Sequence, residues 1–359
     1  MKILKLIGIN LLILTILVVI VELCFGGWII QKNILQNYNI LYSSTYYFDV
    51  SHLYPEGKEV TYSRDENGLR ISGDNNLKNI NIMTIGGSTT DQRYISDGKT
   101  WQDAMYRKLK QDGIKANIAN VGIDGQSTFG HLKNFEIWFP LVPELQPKYI
   151  LFYIGINDFY ADADKYAYIT DPQQPNLKTR IKNCSATYNL FRKLQGAFKS
   201  RVVKVSHSKI DFSKLNYVDQ PLLDSAKYET LLADKLPGYR ERISKLAELS
   251  KKMGATPVFI SQPCRKFILK PDGSVSGVSE TENYGDVKLN GVDYYHMLTM
   301  MNKMIEDICR EQHYDYFDLT QSAIWEATDF YDFAHNTPAG CEKLGNEIAG
   351  RMAPILKKN

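Results

Sequence analysis

The hydrophobic pattern opens on its longest apolar run. From Leu6 to Gln31 there is no Lys or Arg, and Glu22 is the only charge. Leu6 to Val21 is almost wholly Leu, Ile and Val, interrupted at Gly8, Asn10 and Thr15. About 20 apolar residues suffice for a helix to cross a bilayer core. The stretch 6–28 is therefore expected to be a transmembrane helix, with residues 1–30 forming an anchor. Two readings compete with it: a cleaved secretory signal and a buried core helix. A signal would carry a shorter apolar stretch and small residues at a cleavage site, and Glu22-Leu23 before Cys24 does not form a lipoprotein cleavage box. A core helix would not usually sit at the extreme N-terminus between basic flanks. Lys2 and Lys5 on one side against Lys32 on the other favour a single-pass topology, with a cytoplasmic N-terminus and an extracytoplasmic globular portion.

Beyond the anchor the pattern changes twice. Residues 31–78 are polar and Tyr-rich, with turn signals at Pro55-Glu56-Gly57 and Glu66-Asn67-Gly68. They read as a juxtamembrane stalk packing on the main domain, which runs from 79 to 359. In that domain short apolar runs alternate with helical periodicity. Residues 81–85, 116–121, 149–154, 257–260 and 314–319 predict strands, and 101–111, 128–138, 239–253, 294–311 and 339–356 predict helices. In the fourth helix Tyr294, Leu298, Met301, Ile305 and Ile308 fall on one stripe that faces a core. Alternation of this kind implies an α/β fold, a parallel sheet with helices on both faces. Ligands of such sheets gather beyond the carboxyl ends of the strands.

A stretch at about 160–237 breaks the alternation and reads as an insertion. It holds Asp171-Pro172, Gln174-Pro175 and a basic block of Lys178, Arg180, Lys182, Arg192, Lys193, Lys199, Arg201, Lys204, Lys209 and Lys214, against the single acid Asp211. Such a block is a solvated face or a contact for an anionic polymer or lipid headgroups. For the whole chain, 43 basic and 40 acidic residues leave a formal charge of only +3. That balance, with no zinc-type Cys/His spacing, argues against a nucleic-acid partner. Cys24 lies in the apolar run, and spacing alone leaves open whether any of Cys184, Cys264, Cys309 and Cys341 pair.

The candidate chemistry lies in four short clusters, three of them directly after a predicted strand. Gly86-Gly87-Ser88-Thr89-Thr90 turns sharply and exposes a hydroxyl at the sheet mouth; without a Gly-Lys-Ser/Thr ending it is no phosphate loop. Asn120-Val121-Gly122-Ile123-Asp124-Gly125-Gln126-Ser127 offers two glycines whose N–H groups are open to an oxyanion. Gly155-Ile156-Asn157-Asp158 brings a side-chain amide to the same edge. Asp332-Phe333-Ala334-His335 sets an acid three residues before a histidine, close enough to orient its ring. Taken singly each cluster is an ordinary turn or cap; their order and position at one sheet edge give them weight. His52, His131, His207, His296 and His313 show no ligand spacing and read as surface or core residues.

These clusters resemble the four blocks of the SGNH hydrolases, the GDSL-type esterases and lipases, over residues 79–357. Ser88, Gly125, Asn157 and His335 match the residues that name the family. The resemblance implies a flavodoxin-like three-layer α/β/α sandwich around a five-stranded parallel sheet. It also implies that Ser88 is the nucleophile, His335 the general base and Asp332 its orienting acid. The Ser88 N–H, the Gly125 N–H and the Asn157 amide would form the oxyanion hole, and no metal or cofactor is required. The first block departs from the family's Gly-Asp-Ser, since Gly87 stands where the acid would be, and Gly122 remains a rival to Gly125. The function so implied is a membrane-anchored serine esterase acting on acyl esters, O-acetyl foremost, of a carbohydrate or cell-envelope polymer. An O-acyltransferase with the same triad and a non-catalytic binding module are the alternatives.

Overall fold

The computed structural model describes residues 2–28, 40–142, 144–161, 181, 184–188, 190–191 and 205–358. The apolar run forms helix α1 (Lys2–Phe25). Its stretch Lys5–Phe25 is long and apolar enough to cross a bilayer, and its most apolar part is not buried against the rest of the protein. At its far end the Glu22 carboxylate accepts hydrogen bonds from Trp28 Nε1 (2.7 Å), Ser185 Oγ (2.7 Å), Ala186 N (2.9 Å) and Thr187 N (3.1 Å). Gly27 N donates to the Cys184 carbonyl beside them.

Strands β1 (Ser44–Phe48) and β2 (Val60–Arg64) pair as an antiparallel hairpin. The chain then supplies β3 (Arg70–Ser72), β4 (Ile80–Gly86), helix α2 (Ser88–Asp91), α3 (Trp101–Gln111), β5 (Asn117–Asn120), α4 (Thr128–Lys133), β6 (Tyr149–Tyr153) and α5 (Ile156–Tyr160). The insertion contributes β7 (Tyr217–Val218) and α6 (Ser225–Leu232), and then come α7 (Lys235–Lys252), β8 (Thr256–Ile260), β9 (Phe267–Leu269), β10 (Val275–Val278), β11 (Glu282–Tyr284) and β12 (Val287–Leu289). Helix α8 (Gly291–Gln312), β13 (Asp315–Phe317), α9 (Leu319–Ser322) and α10 (Pro338–Lys357) complete it.

The main sheet runs β13-β8-β6-β4-β5-β3. Five strands are parallel, as the alternation implied, and β3 adds a sixth, antiparallel to β5. Every residue of β6 is buried, the signature of a central strand covered on both faces. Successive side chains go to opposite faces. Met83, Ile85, Phe152 and Phe259 meet α7 and α8 through Ile243, Leu246, Met301 and Ile305. Ile82, Leu151, Val258 and Ile260 meet α3 and α10 through Trp101, Met105, Leu344 and Ile348. The second cluster also takes in Phe48, Val50, Leu53, Val60 and Tyr62 from the segment read as a stalk.

Several elements differ from the sequence expectation. The helix expected over 128–138 is α-helical only to Lys133 and continues as a π-helical turn, Asn134–Trp138. The last strand stops at Phe317 because Asp318 caps α9, accepting the N–H groups of Thr320 and Gln321. Between β8 and α8 the chain adds β9 and β10, which pair with β7 as a small sheet β7-β10-β9, and the hairpin β11-β12, all too short for a periodicity to register. All five cysteines are free thiols. The Asp171-Pro172 and Gln174-Pro175 turns, and the basic block apart from Lys209 and Lys214, lie outside the described residues.

Candidate active site

The site forms at the carboxyl ends of β4, β5, β6 and β8. At the end of β4 the chain must turn tightly, since a Cβ on Gly86 would lie 2.1 Å from Thr90 Oγ1 and 2.5 Å from the Tyr153 carbonyl. Ser88 is the first residue of α2, so its N–H has no intrahelical acceptor. Past β13, the loop before α10 is closed by a bridge between Phe330 and Asn336. Within it Asp332 Oδ1 accepts the N–H groups of Ala334 (2.9 Å) and His335 (2.8 Å), which folds the acid back onto its histidine. His335 Nδ1 lies 2.9 and 2.8 Å from the two Asp332 oxygens, and His335 Nε2 lies 2.7 Å from Ser88 Oγ. Burial pushes the Asp332 carboxyl upward. Hydrogen bonds from His207 and His335 more than reverse that and hold it well below the usual carboxylate range.

Asn157 sits on α5, entered through Gly155 at φ +131°, a conformation that favours glycine. Its Nδ2 donates to the Gln126 carbonyl at 2.8 Å, which leaves the second amide hydrogen for a ligand. The structure also separates the two glycines of the second cluster. The Gly122 N–H is already donated to Asn120 Oδ1 at 2.8 Å, and a Cβ there would meet Asp91 N at 2.4 Å. Gly122 is thus a packing residue. Gly125, at φ +74°, carries no hydrogen bond on its N–H among the described residues.

The sequence model of the GDSL-like lipase/acylhydrolase family matches residues 84–343. The chain belongs to that family. It is accordingly an ester-bond hydrolase of SGNH type. No curated protein matches this acylhydrolase. Solved structures similar to it include a GDSL-like lipase from Bacteroides thetaiotaomicron (14% identity, 80% of this chain and 91% of that one, TM-score 0.37). A carbohydrate acetylesterase, Est24, from Sinorhizobium meliloti aligns at 12% identity over 77% of this chain and 99% of its own, TM-score 0.39. A variant of Axe2, an acetyl xylan esterase from Geobacillus stearothermophilus, aligns at 13% over 77% and 96%, TM-score 0.41.

In this acylhydrolase the departure at Gly87 has a steric cause: a Cβ there would lie 2.2 Å from Asn157 Nδ2 and 2.9 Å from the Gln126 carbonyl. Asp158, beside Asn157, is buried and accepts Thr128 N (3.1 Å) and Thr128 Oγ1 (2.5 Å). Burial pushes its carboxyl up to about 6, against those bonds and the nearby Arg242. It ties α4 to α5 from beneath the site.

Three contributors escaped the sequence reading. Gln262, just past β8, accepts Ile156 N at 2.8 Å and donates to Thr89 Oγ1 at 2.7 Å, joining the helices that carry Asn157 and Ser88. Arg64, at the end of β2, pairs with Asp91 at 2.5 Å and donates to the Gly122 carbonyl at 2.6 Å. His207, from the insertion, stands with its ring centroid 4.3 Å from that of His335. A glutamine past a strand end was a faint signal for the first; neither of the others belongs to a motif. His207, Asp332 and His335 also place one ligand-type atom each within 4.8 Å of one another. Both ring nitrogens of His335 are already engaged, by Ser88 and Asp332, so the set forms a hydrogen-bond chain and not a cation cage. His131 is buried and kept neutral by that burial, a core residue as read.

Proposed function

We propose that this acylhydrolase is a serine esterase removing short acyl groups, O-acetyl foremost, from a carbohydrate or other cell-envelope polymer. In this reading α1 anchors it with a cytoplasmic N-terminus and an extracytoplasmic catalytic domain. The observation that carries the reading is the unbroken hydrogen-bond chain from Ser88 Oγ through both nitrogens of His335 to Asp332.

His335 takes the Ser88 proton as Oγ attacks the ester carbonyl, and Asp332 holds the tautomer and supports the imidazolium. The carbonyl oxygen gains charge and is met by the Ser88 N–H, the Gly125 N–H and the Asn157 amide, donors whose individual loss costs about a hundred- to thousandfold. His335 then protonates the leaving alcohol. Water, deprotonated by His335, attacks the acyl-serine and releases the acid and free Ser88.

Support for a carbohydrate comes from a groove of 570 Å³ lined by Phe129, Tyr160 and Tyr284 with Lys235 and Arg242. Tyr160 lies one helical turn after Asn157. Ser88→Ala should lower turnover of 4-nitrophenyl acetate at least about a thousandfold and abolish fluorophosphonate labelling. Labelling equal to wild type would refute the nucleophile assignment. Acetylated sugar formed only when an acceptor is present would shift the reading to acyl transfer. Wild type that neither turns over nor labels would shift it to a binding module.

A further inference from the structure

We propose that His207 is a positioning residue which shares the Asp332 carboxylate with His335 and so sets the pH below which His335 ceases to act as a base. The proposal rests on the triad reading above. His207 Nδ1 lies 3.4 Å from Asp332 Oδ2, the oxygen that also meets His335 Nδ1 at 2.8 Å. Two imidazoles therefore face one carboxylate, with ring centroids 4.3 Å apart.

The placement is built, since the segment around His207 is pinned at three points. Ser206 N donates to Tyr94 Oη at 3.1 Å, the His207 carbonyl lies 3.3 Å from His52 Nε2, and Ile210 N donates to the Tyr331 carbonyl at 2.8 Å. The ring packs edge-on to Tyr94 at 5.0 Å, and its Nδ1 lies 3.1 Å from Tyr331 Oη. Tyr331 in turn stacks on His335 at 5.6 Å.

Either protonation state of His207 acts in one direction. Neutral with its proton on Nδ1, it directs that N–H toward Asp332 Oδ2 (3.4 Å) and Tyr331 Oη (3.1 Å) and draws carboxylate charge away from His335. Protonated, it does so more strongly and also repels an imidazolium on His335 directly. Both lower the basicity of His335, so the free base persists to lower pH than Asp332 alone would allow. The titratable groups facing His207 are Asp332 and His335 in its own plane of contact, Tyr331 beside them, Tyr94 across the ring and His52 at its carbonyl. Tyr54 reaches the same cluster through Tyr94 and Tyr331. Burial keeps the phenols of Tyr54 and Tyr331 protonated, so they add no charge in the working range.

The test is the pH profile of kcat/KM for 4-nitrophenyl acetate, which reports the free enzyme's essential base. Full-length wild type, His207→Ala and His207→Asn are compared in detergent, with Ser88→Ala as control. His207→Ala should move the acid limb up by about 0.5–1 pH unit, a threefold to tenfold loss below it, while the neutral plateau changes less. His207→Asn keeps a donor for Asp332 without a charge and should shift the limb by a smaller amount; it also carries the test should the alanine variant fail to fold. An acid limb unmoved or moved downward, or a loss of one factor at every pH, overturns the proposal. Turnover surviving in Ser88→Ala would instead overturn the triad reading, a distinguishable result.

Discussion

Gly87 stands where the family's first block usually carries an acid, and its surroundings show what replaces that acid. The space a side chain would need is taken by the Asn157 amide and the Gln126 carbonyl. The Gln126 carbonyl is main chain and cannot yield easily, because the residue is held through its side-chain Oε1, which accepts Asn134 Nδ2 at 2.9 Å and lies 3.0 Å from His131 Nδ1. Asn157 must therefore be the group that moves when a Cβ is added. Gly87→Ala should lower kcat for 4-nitrophenyl acetate tenfold or more, the order expected when one oxyanion donor is displaced. Gly87→Asp, which restores the family's usual wording, should do worse than alanine. Wild-type kcat in Gly87→Ala would show that Asn157 does not donate from its present place. At this scale Ser88, Asn157, Asp332 and His335 were legible because each sits at a strand end or at a spacing with local meaning. His207 and Gln262 were not, because each acts through one contact with a residue remote in sequence.

Among the elements, the hairpin β1-β2 and the edge strand β3 carry more of the site than their sequence announced. Arg64, at the end of β2, is buried against Asp91, which Tyr62 Oη also meets at 2.7 Å. Arg70, in β3, donates to the carbonyls of Asp91 (2.6 Å) and Gln92 (3.1 Å). Helix α2, only four residues long and so without stability of its own, is thus held from the segment that precedes the main alternation. Removing Arg64 leaves Asp91 with Arg93 at 3.6 Å, so the loss is of the closer, charge-assisted bonds, worth about 1.5–3 kcal/mol. Arg64→Met in the full chain should lower unfolding free energy by that order and reduce esterase turnover, though it touches neither Ser88 nor His335. Urea unfolding matched to wild type within error would contradict this account. The five parallel strands were readable from short apolar stretches between turn signals, even in β13, where only Phe317 is buried. The strand Arg-Ile-Ser was not, because three residues with two polar ones carry no period, and its pairing with β5 is decided by tertiary contacts alone.

For the molecule as a whole, the informative residue is Glu22, the only charge between Leu6 and Gln31. A carboxylate at the end of so apolar a helix is costly unless hydrogen bonded, and Glu22 collects donors from Ser185, Ala186 and Thr187, far along the chain. Helix α1 is then docked on the insertion through this end. The contact ties a segment flanked by Lys182, Arg192 and Lys193 to the end of α1 nearest the main domain. Glu22→Ala should leave turnover of a small soluble ester at the wild-type level, since no catalytic contact involves it. It should, however, release the segment. Hydrogen bonds to a charged acceptor contribute about 1.5–3 kcal/mol each, so losing even one net bond raises the open population about tenfold or more. Hydrogen exchange at the Ala186 and Thr187 amides of the full chain in lipid nanodiscs should accelerate by that factor, with the amides of β4 and β6 unchanged as an internal reference. Equal exchange in the two proteins would mean that the segment is held by something other than Glu22.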